Sequence, residues 1–436
     1  MMPPRTVAHR SALRHAALVA AAAGAAVAPA AARADSVVIR NATVYPRPGQ
    51  RLDGATIVIR DGVVAAVGRD VKAPAGARVI DATGKVVTAG FVEPYSTVGL
   101  VEVPAVRETV EGRHPNEALP DDDEIHAAYR VTDGYNPASV AIPIARTGGI
   151  TSVVAVPRGG LVAGASAWMS LADAVTVDAV TVRPVAALHA QLGEGALGVA
   201  RGSRGVAVER LRELLDDAAA YGRNRRAYER NQSRAFTAER LDLEALQPVL
   251  RGRTRLVIVA DRASDILAAV ALAREYKLSI AIAGGAEAWR VADQLAAARV
   301  PVILDPTANL PASFDRIYVR DDAPKLLRDA GVAVALSTLG DAAGARTLRQ
   351  LCGIAVSFGM AWDDALAAVT TVPAAIYGEA GGARRGTIER GAAADLVVWS
   401  GDPFELSTRA EHVFIGGVDQ SLRTRQTRLL ERYRTL

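Results

Sequence analysis

The sequence holds little of what metal and redox chemistry draw on. One cysteine, Cys352, occurs in 436 residues, so no internal disulfide can form. It lies in the apolar helical stretch 348–356 with no histidine beside it, the setting of a small buried hydrophobe rather than a nucleophile. Histidine is almost as scarce. Of six, His9 and His15 fall in the first 34 residues, which leaves His114, His126, His189 and His412. No charge sign dominates either. The excess of 51 Lys and Arg over 47 Asp and Glu is Arg5, Arg10, Arg14 and Arg33, all within a 34-residue stretch that has no acid. With the remainder charge-balanced and aromatics at 5%, the electrostatic footprint of a nucleic-acid or anionic-membrane partner is missing. What is present, 50% hydrophobic and 22% charged residues, is the composition of a folded globular protein.

Residues 1–34 read as an export signal. A positive stretch from 5 to 15 leads into an alanine and valine run at 16–28, Pro29 breaks it, and Ala32-Arg33-Ala34 precedes Asp35 in the manner of a cleavage site. The run falls short of the ~20 apolar residues that span a bilayer, which argues against a membrane anchor. It has no Arg-Arg pair, so twin-arginine export is not expected. No later apolar run reaches spanning length. The expectation is a periplasmic or secreted protein with no membrane contact after cleavage.

Beyond the signal, short alternating runs at 36–41, 56–60, 63–68 and 79–81 are separated by Asp53-Gly54, Asp61-Gly62 and Thr83-Gly84, the pattern of a small antiparallel sheet. The pattern returns at 394–399 and 413–415, ahead of Gly416-Gly417. Both chain ends are therefore expected in one composite β-sandwich domain, 35–89 with 386–420, followed by a C-terminal helix at 421–436. Between them, apolar runs at 90–92, 150–156, 184–188, 256–260, 279–283, 300–304 and 332–336 alternate with helix-period segments at 266–276, 287–298 and 323–330. Strands buried on both faces and alternating with amphipathic helices predict an α/β fold, a (β/α) TIM-like barrel over 90–385. An insertion at 99–143 holds Arg113-His114-Pro115 and the acids Asp121 to Glu124. Following the first barrel strand, it is either a lid on the active face or a solvated acidic loop. Residues 206–250 carry Arg, Glu and Ala at helical spacing and read as a helical pair on the flank.

Three segments resemble the amidohydrolase superfamily, in particular its imidazolonepropionase-like branch: VIDATGKVVTAGFV at 79–92, ALAAVTTVPAAIYG at 365–378 and GTIERGAAADLVVW at 386–399. They are similar, in that order, to the family's passage into barrel strand 1, its late-barrel helix and its return strand. The resemblance spans essentially the whole chain after the signal. It implies a hydrolase of non-peptide C–N bonds, in amides or cyclic amides, that uses a divalent metal, zinc above all, to activate water.

The chain departs from that pattern at the ligands. Where the family places His-x-His after strand 1, this sequence has Glu93-Pro94-Tyr95-Ser96; where two further histidines are expected it has Val259 and Gly284-Gly285. None of the four lysines, Lys72, Lys85, Lys277 and Lys325, falls at a barrel strand end to serve as a bridging carboxylated lysine. The family's catalytic Asp, following the last strand, has Asp341 as its nearest match. The metal ligands are therefore left unknown.

Two readings follow. In the first, the metal site is rebuilt, with Glu93 or Asp341 as general base and His189, Asp261, Arg262 and Asp305 contacting substrate, helped by His114, His126, Asp121 or Glu124 of the insertion. In the second, the fold survives as a catalytically inactive binding or scaffold protein. Structural roles compete at the same positions. Asp261 can pair with Arg262 or cap a helix, and Asp305-Pro306 reads as a turn. The expected partner is a small molecule, with no nucleic acid, and a homodimer is the default assembly.

Overall fold

In the computed structural model the described residues are 36–112, 124–198, 202–340, 342–378 and 384–434. The segment 1–34 read as an export signal, His114, Asp121 and Asp341 lie outside them. The N-terminal part supplies β1 (Val37–Arg47), β2 (Gln50–Arg60), β3 (Val63–Gly68), β4 (Arg78–Asp81) and β5 (Val86–Ala89). The central part supplies β6 (Phe91–Ser96), β7 (Ile150–Ala155), β8 (Val162–Ser170), β9 (Thr181–Gln191), β10 (Arg255–Ala260), β11 (Ile280–Gly284), β12 (Val302–Leu304) and β13 (Val334–Leu336). The C-terminal part adds β14 (Leu396–Trp399), β15 (Ala410–Ile415), β16 (Val418–Asp419) and a helix at Arg425–Tyr433.

The two chain ends share one eight-stranded sheet, ordered β16-β15-β14-β5-β1-β2-β3 with β4 also on β1. They meet where β14 runs antiparallel to β5, pairing Leu396 with Ala89 and Val398 with Val87. The four-residue apolar run of β14 is explained by its surroundings. Leu396 and Val398 face the core of this sheet, with Ile57, Ile59 and Phe414, while Val397 and Trp399 face the barrel core beside Phe91. A strand buried on both faces has no polar side to show.

The second sheet is ordered β13-β12-β11-β10-β9-β8-β7-β6, chain order throughout. Period-2 alternation sorts its side chains into two layers. Val257, Ala281, Ile303 and Ala335 point inward, and their neighbours Leu256, Ile258, Ile280, Ile282, Val302, Leu304, Val334 and Leu336 point to the surrounding helices. Where the sequence reads as seven parallel strands, the structure has eight, and β8 is antiparallel to both β7 and β9. Val162–Ser170 (VAGASAWMS) is rich in Gly, Ala and Ser and poor in β-branched residues, so it carries little strand signal; yet all nine residues are buried.

The described part of the insertion runs along β8, bridging Ile125 to Val162 and Arg130 to Ala165. The 206–250 segment forms helices Arg204–Arg223 and Arg240–Leu250. The first buries Ala207, Leu211, Leu214, Leu215, Ala218 and Tyr221, and the second Leu243, Leu246 and Val249, in the same cluster, the i, i+3/i+4 spacing of a helix face turned inward. Cys352 is fully buried and burial pushes its thiol well up, as a small hydrophobe should be. Among the described residues no helix is long and apolar enough to cross a membrane.

Candidate functional site at the barrel mouth

β6 and β13 form the two edges of the barrel sheet, and Glu93 fastens them. Its Oε1 accepts from the Tyr95 amide at 3.2 Å and from the Ser337 hydroxyl, and its Oε2 accepts from the Thr338 amide at 3.2 Å and the Thr338 hydroxyl at 3.1 Å. The side chain is wholly buried. Burial raises its pKa to about 7 against the pull of those hydrogen bonds, because desolvation penalises the ionised form. The sequence places Glu93 at the mouth. In the structure it sits behind the wall, outside the residues that line the mouth cavity.

That cavity, of about 250 Å³, opens at the carboxyl ends of the parallel strands. It is lined by Tyr95 from β6, Arg158, Gly159 and Gly160 following β7, Ala163 from β8, His189 and Gln191 from β9, Val259 and Asp261 at the end of β10, Ala283 and Gly284 from β11, Arg316 and Leu339. His189 and Gln191 are two apart on one strand and so face the same side. His189 is 1% exposed, and its ring lies edge-on to Tyr95 at 5.5 Å between centroids. Neither ring nitrogen has a hydrogen-bond partner among the described residues. Burial drives its pKa down to about 3, so at neutral pH it is an uncharged imidazole with one donor and one acceptor.

Arg158 lines the same cavity. Its guanidinium lies 5.7 Å from the Tyr95 ring centroid and one Nη donates to the Leu339 carbonyl, while its Nε is buried without a partner among the described residues. Gly340, at φ +96°, passes so close that any Cβ there would collide with the guanidinium. Arg316, from the loop after β12, donates through Nε to Asp261 Oδ2 at 2.8 Å, and the Ala286 amide donates to Asp261 Oδ1 at 3.2 Å. Asp261 thus pairs with Arg316 and not with Arg262, which is exposed. Arg262 precedes the helix Ala263–Tyr276 and is outside the cavity lining. Asp305 is outside it too; its Oδ1 accepts from the Thr307 amide at 2.7 Å and hydroxyl at 2.6 Å, closing the turn that Asp305-Pro306 suggests. Glu124 pairs with Arg210 at 3.1 Å, and His126 lines a separate surface cleft with Tyr129 and Asp242.

Of the sequence-derived candidates, the structure therefore brings His189 and Asp261 together at the cavity. Arg158, Tyr95, Gln191 and Arg316 join them without having been singled out. For Arg158 a signal was present, since only Pro157 separates it from the apolar run 150–156, much as Glu93 follows 90–92. Arg316 had none, because the loop that carries it returns to Asp261 only in the folded chain.

Among the described residues the donor set does not fit the metal pair that the resemblance implies. The strand ends present Tyr95, His189, Val259 and Gly284, one imidazole where zinc asks for three or four nitrogen, sulfur or carboxylate ligands. The nearby carboxylates of Glu93 and Asp261 are already committed to hydrogen bonds and an ion pair. Among the described residues no three His, Cys, Asp or Glu side chains converge as a metal site.

Comparison with known proteins agrees with the fold. A family model of the amidohydrolase family matches residues 329–418. The amidohydrolase tasK of Hapsidospora irregularis is 26% identical over 88% of this chain, and the alignment takes in 43% of tasK, so the chain spans less than half of that relative. The crystal structure of an amidohydrolase from Thermotoga maritima MSB8 superposes with a TM-score of 0.80 at 28% identity, covering 89% of this chain and 100% of that one. Phenylurea hydrolase B shares the fold at a TM-score of 0.55 and 15% identity, over 89% of this chain and 97% of its own. The chain is thus similar to amidohydrolases, by the family model over residues 329–418 and by fold over 89% of its length.

Proposed function

We propose that the chain is an exported hydrolase of the imidazolonepropionase-like branch that cleaves a non-peptide C–N bond, in a small amide or cyclic amide, within the mouth cavity. The observation that carries this reading is His189: a buried imidazole at a strand end, facing a cavity, with both nitrogens free of partners among the described residues. A neutral imidazole offers one N–H and one lone pair, the complement of an amide's carbonyl and N–H. Export is supported by the composition of residues 1–34.

Asp341 is the residue we assign as general base. It follows Gly340 directly in the chain, and Gly340 packs against Arg158. Water adds to the amide carbon, its proton passes to the Asp341 carboxylate, and that proton is returned to the departing nitrogen, so amide plus water gives carboxylic acid plus amine. A general base contributes about 10²–10⁴ in rate. The described donor set does not fit a metal pair, and this route uses none.

A ligand-binding protein without turnover is the second reading. It is favoured by the engagement of the carboxylates of Glu93 and Asp261 and by the low basicity of His189, which leave the described wall without a base. One experiment separates the two: turnover of small linear and cyclic amides by the purified chain, with bound metal quantified. Turnover lost in Asp341→Asn at unchanged metal content supports the hydrolase assigned here. Stoichiometric zinc with activity lost on chelation overturns the metal-free route, and binding without turnover overturns the hydrolase.

A further inference from the structure

Charge divides unevenly between the body of the chain and its end. Residues 421–436 carry five arginines against one acid, Glu431; with residues 1–34 set aside, the body at 35–420 is left with four more acids than bases. The basic end is also poorly anchored. Its helix, Arg425–Tyr433, starts from a capping box between Thr424 and Thr427 but buries none of its nine residues. Leu429, Leu430 and Tyr433 fall on one face, 41%, 64% and 54% exposed, and Arg425, Arg428 and Arg432 fall together on another. Glu431 is taken by Arg423, while Arg425, Arg428, Arg432 and Arg434 pair with no carboxylate among the described residues. Isolated helices shorter than about 12–15 residues are marginal in water, and most helices owe their stability to a packed apolar face. This helix has such a face and leaves it open.

A surface of matching character lies on the hairpin that follows β6. Its limbs meet where Val101 bridges Val110, and its tip, Val103-Pro104-Ala105-Val106, is exposed throughout. Val140, 51% exposed at the start of the helix Ala141–Thr147, adjoins it, because Glu102 Oε2 accepts from the Val140 amide at 3.1 Å. The returning limb carries Glu108 and Glu111, both exposed and neither paired with a base among the described residues. The hairpin's one base is Arg107. An apolar tip bordered by acids complements an apolar helix face bordered by arginines. We infer that the C-terminal helix of one copy docks on the 101–111 hairpin of a second copy, Leu429, Leu430 and Tyr433 covering Val103, Val106 and Val140, and the arginines facing Glu108 and Glu111. Reciprocal exchange of two such helices closes a two-fold dimer. An anionic bilayer is the poorer occupant, since the acidic body is repelled by it and three apolar side chains offer little to insert. The Gly112 carbonyl at the hairpin's root accepts from the Arg158 amide at 2.7 Å, so the dimer joins the tail of one chain to the mouth face of the other. The inference does not depend on what the cavity binds.

The test is sedimentation velocity of the purified full chain, from micromolar concentrations to about 100 μM, at low and at high salt. A dimer is expected at low salt, with a Kd that rises about tenfold or more at high salt as the charges are screened. Reversing the tail, Arg428→Glu with Arg432→Glu, is expected to weaken the dimer about tenfold or more, and Glu108→Arg with Glu111→Arg to do the same, because like charges then face one another. All four changes together are expected to recover most of the loss, which damage to the fold could not do. The altered side chains are all exposed, so each variant should keep the melting temperature of the unaltered chain within a few degrees. A monomer at every concentration overturns the inference with no variant needed. So does a dimer as tight in the reversed tail as in the unaltered chain, or a combined variant no tighter than either pair. If a monomer instead floats with phosphatidylglycerol vesicles through the same arginines, the tail belongs to a membrane surface and the second copy is ruled out.

Discussion

Two buried ionisable side chains, one at the barrel seam and one at its mouth, meet the same low-dielectric environment and are used differently. Glu93 and His189 are each shifted toward their neutral forms, Glu93 upward to about 7 and His189 downward to about 3, with burial as the leading cause in both. They differ in what surrounds them. Four donors from Tyr95, Ser337 and Thr338 converge on Glu93, and none of the described residues bonds to the His189 ring. A perturbed pKa is therefore a poor guide to function by itself. The saturated group is part of the frame, holding β6 to the segment after β13; the unsatisfied group is the one poised for a ligand.

The largest effect should come from breaking the saturated side of this pair. Glu93→Ala removes the acceptor of four donors, two buried and two part-buried, and is expected to cost about 3 kcal/mol or more in urea unfolding, since each stranded donor carries a desolvation penalty of about 1–3 kcal/mol. A loss of under about 1 kcal/mol would show that the seam does not depend on this carboxylate.

The pH dependence sharpens the comparison next. Glu93 holds its proton more tightly folded than unfolded, so its contribution is present below the unfolded value of 4.5 and is lost as pH rises toward about 7, in total about 3 kcal/mol. His189 takes up its proton more readily unfolded, so its contribution is present above 6.5 and is lost as pH falls toward about 3. Between pH 4.5 and 6.5 the two slopes oppose. Unfolding free energies measured across that window should fall more steeply with rising pH in His189→Phe than in the unaltered chain. In Glu93→Gln they should rise relative to it. Parallel curves for all three would contradict the assigned shifts.

Gly340→Ala tests the geometry that keeps Arg158 in place. It combines a left-handed φ of +96° with a collision against the guanidinium. The expected cost is about 1–3 kcal/mol in thermal or urea unfolding; no loss of stability would detach Gly340 from the placement of Arg158. The smallest effect is expected on the unsatisfied side. His189→Phe exchanges an unpartnered polar ring for an apolar one of similar shape and should change stability by less than about 1 kcal/mol. A loss approaching that of Glu93→Ala would mean that His189, too, belongs to the frame.

The comparison also explains which parts of the molecule could be read from the chain alone. β14 was legible because its four apolar residues report burial on both faces, and β10 to β13 for the same reason. β8 was not, since a buried strand made largely of Ala, Gly and Ser owes its conformation to its neighbours rather than to its own propensities. His189 was legible as a lone imidazole at a strand end, but its lack of partners was not. Glu93 was legible as an acid at a strand end and misread in its direction, because the groups that claim it, Ser337 and Thr338, are 244 and 245 residues away.

The sequence by itself determined the barrel with its composite sheet, the family resemblance carried by 79–92, 365–378 and 386–399, and the scarcity of imidazole that leaves the strand ends with Tyr95, Val259 and Gly284. These are matters of periodicity and of which residues are present, and periodicity and composition are local. Only the tertiary structure decided that Glu93 is fastened into the seam, that Asp261 is spent on Arg316 and that Arg158 and His189 face one cavity with hydrogen-bonding capacity to spare. Those outcomes depend on which distant groups arrive within about 3 Å, the range over which a hydrogen bond forms, and no spacing along the chain encodes that distance.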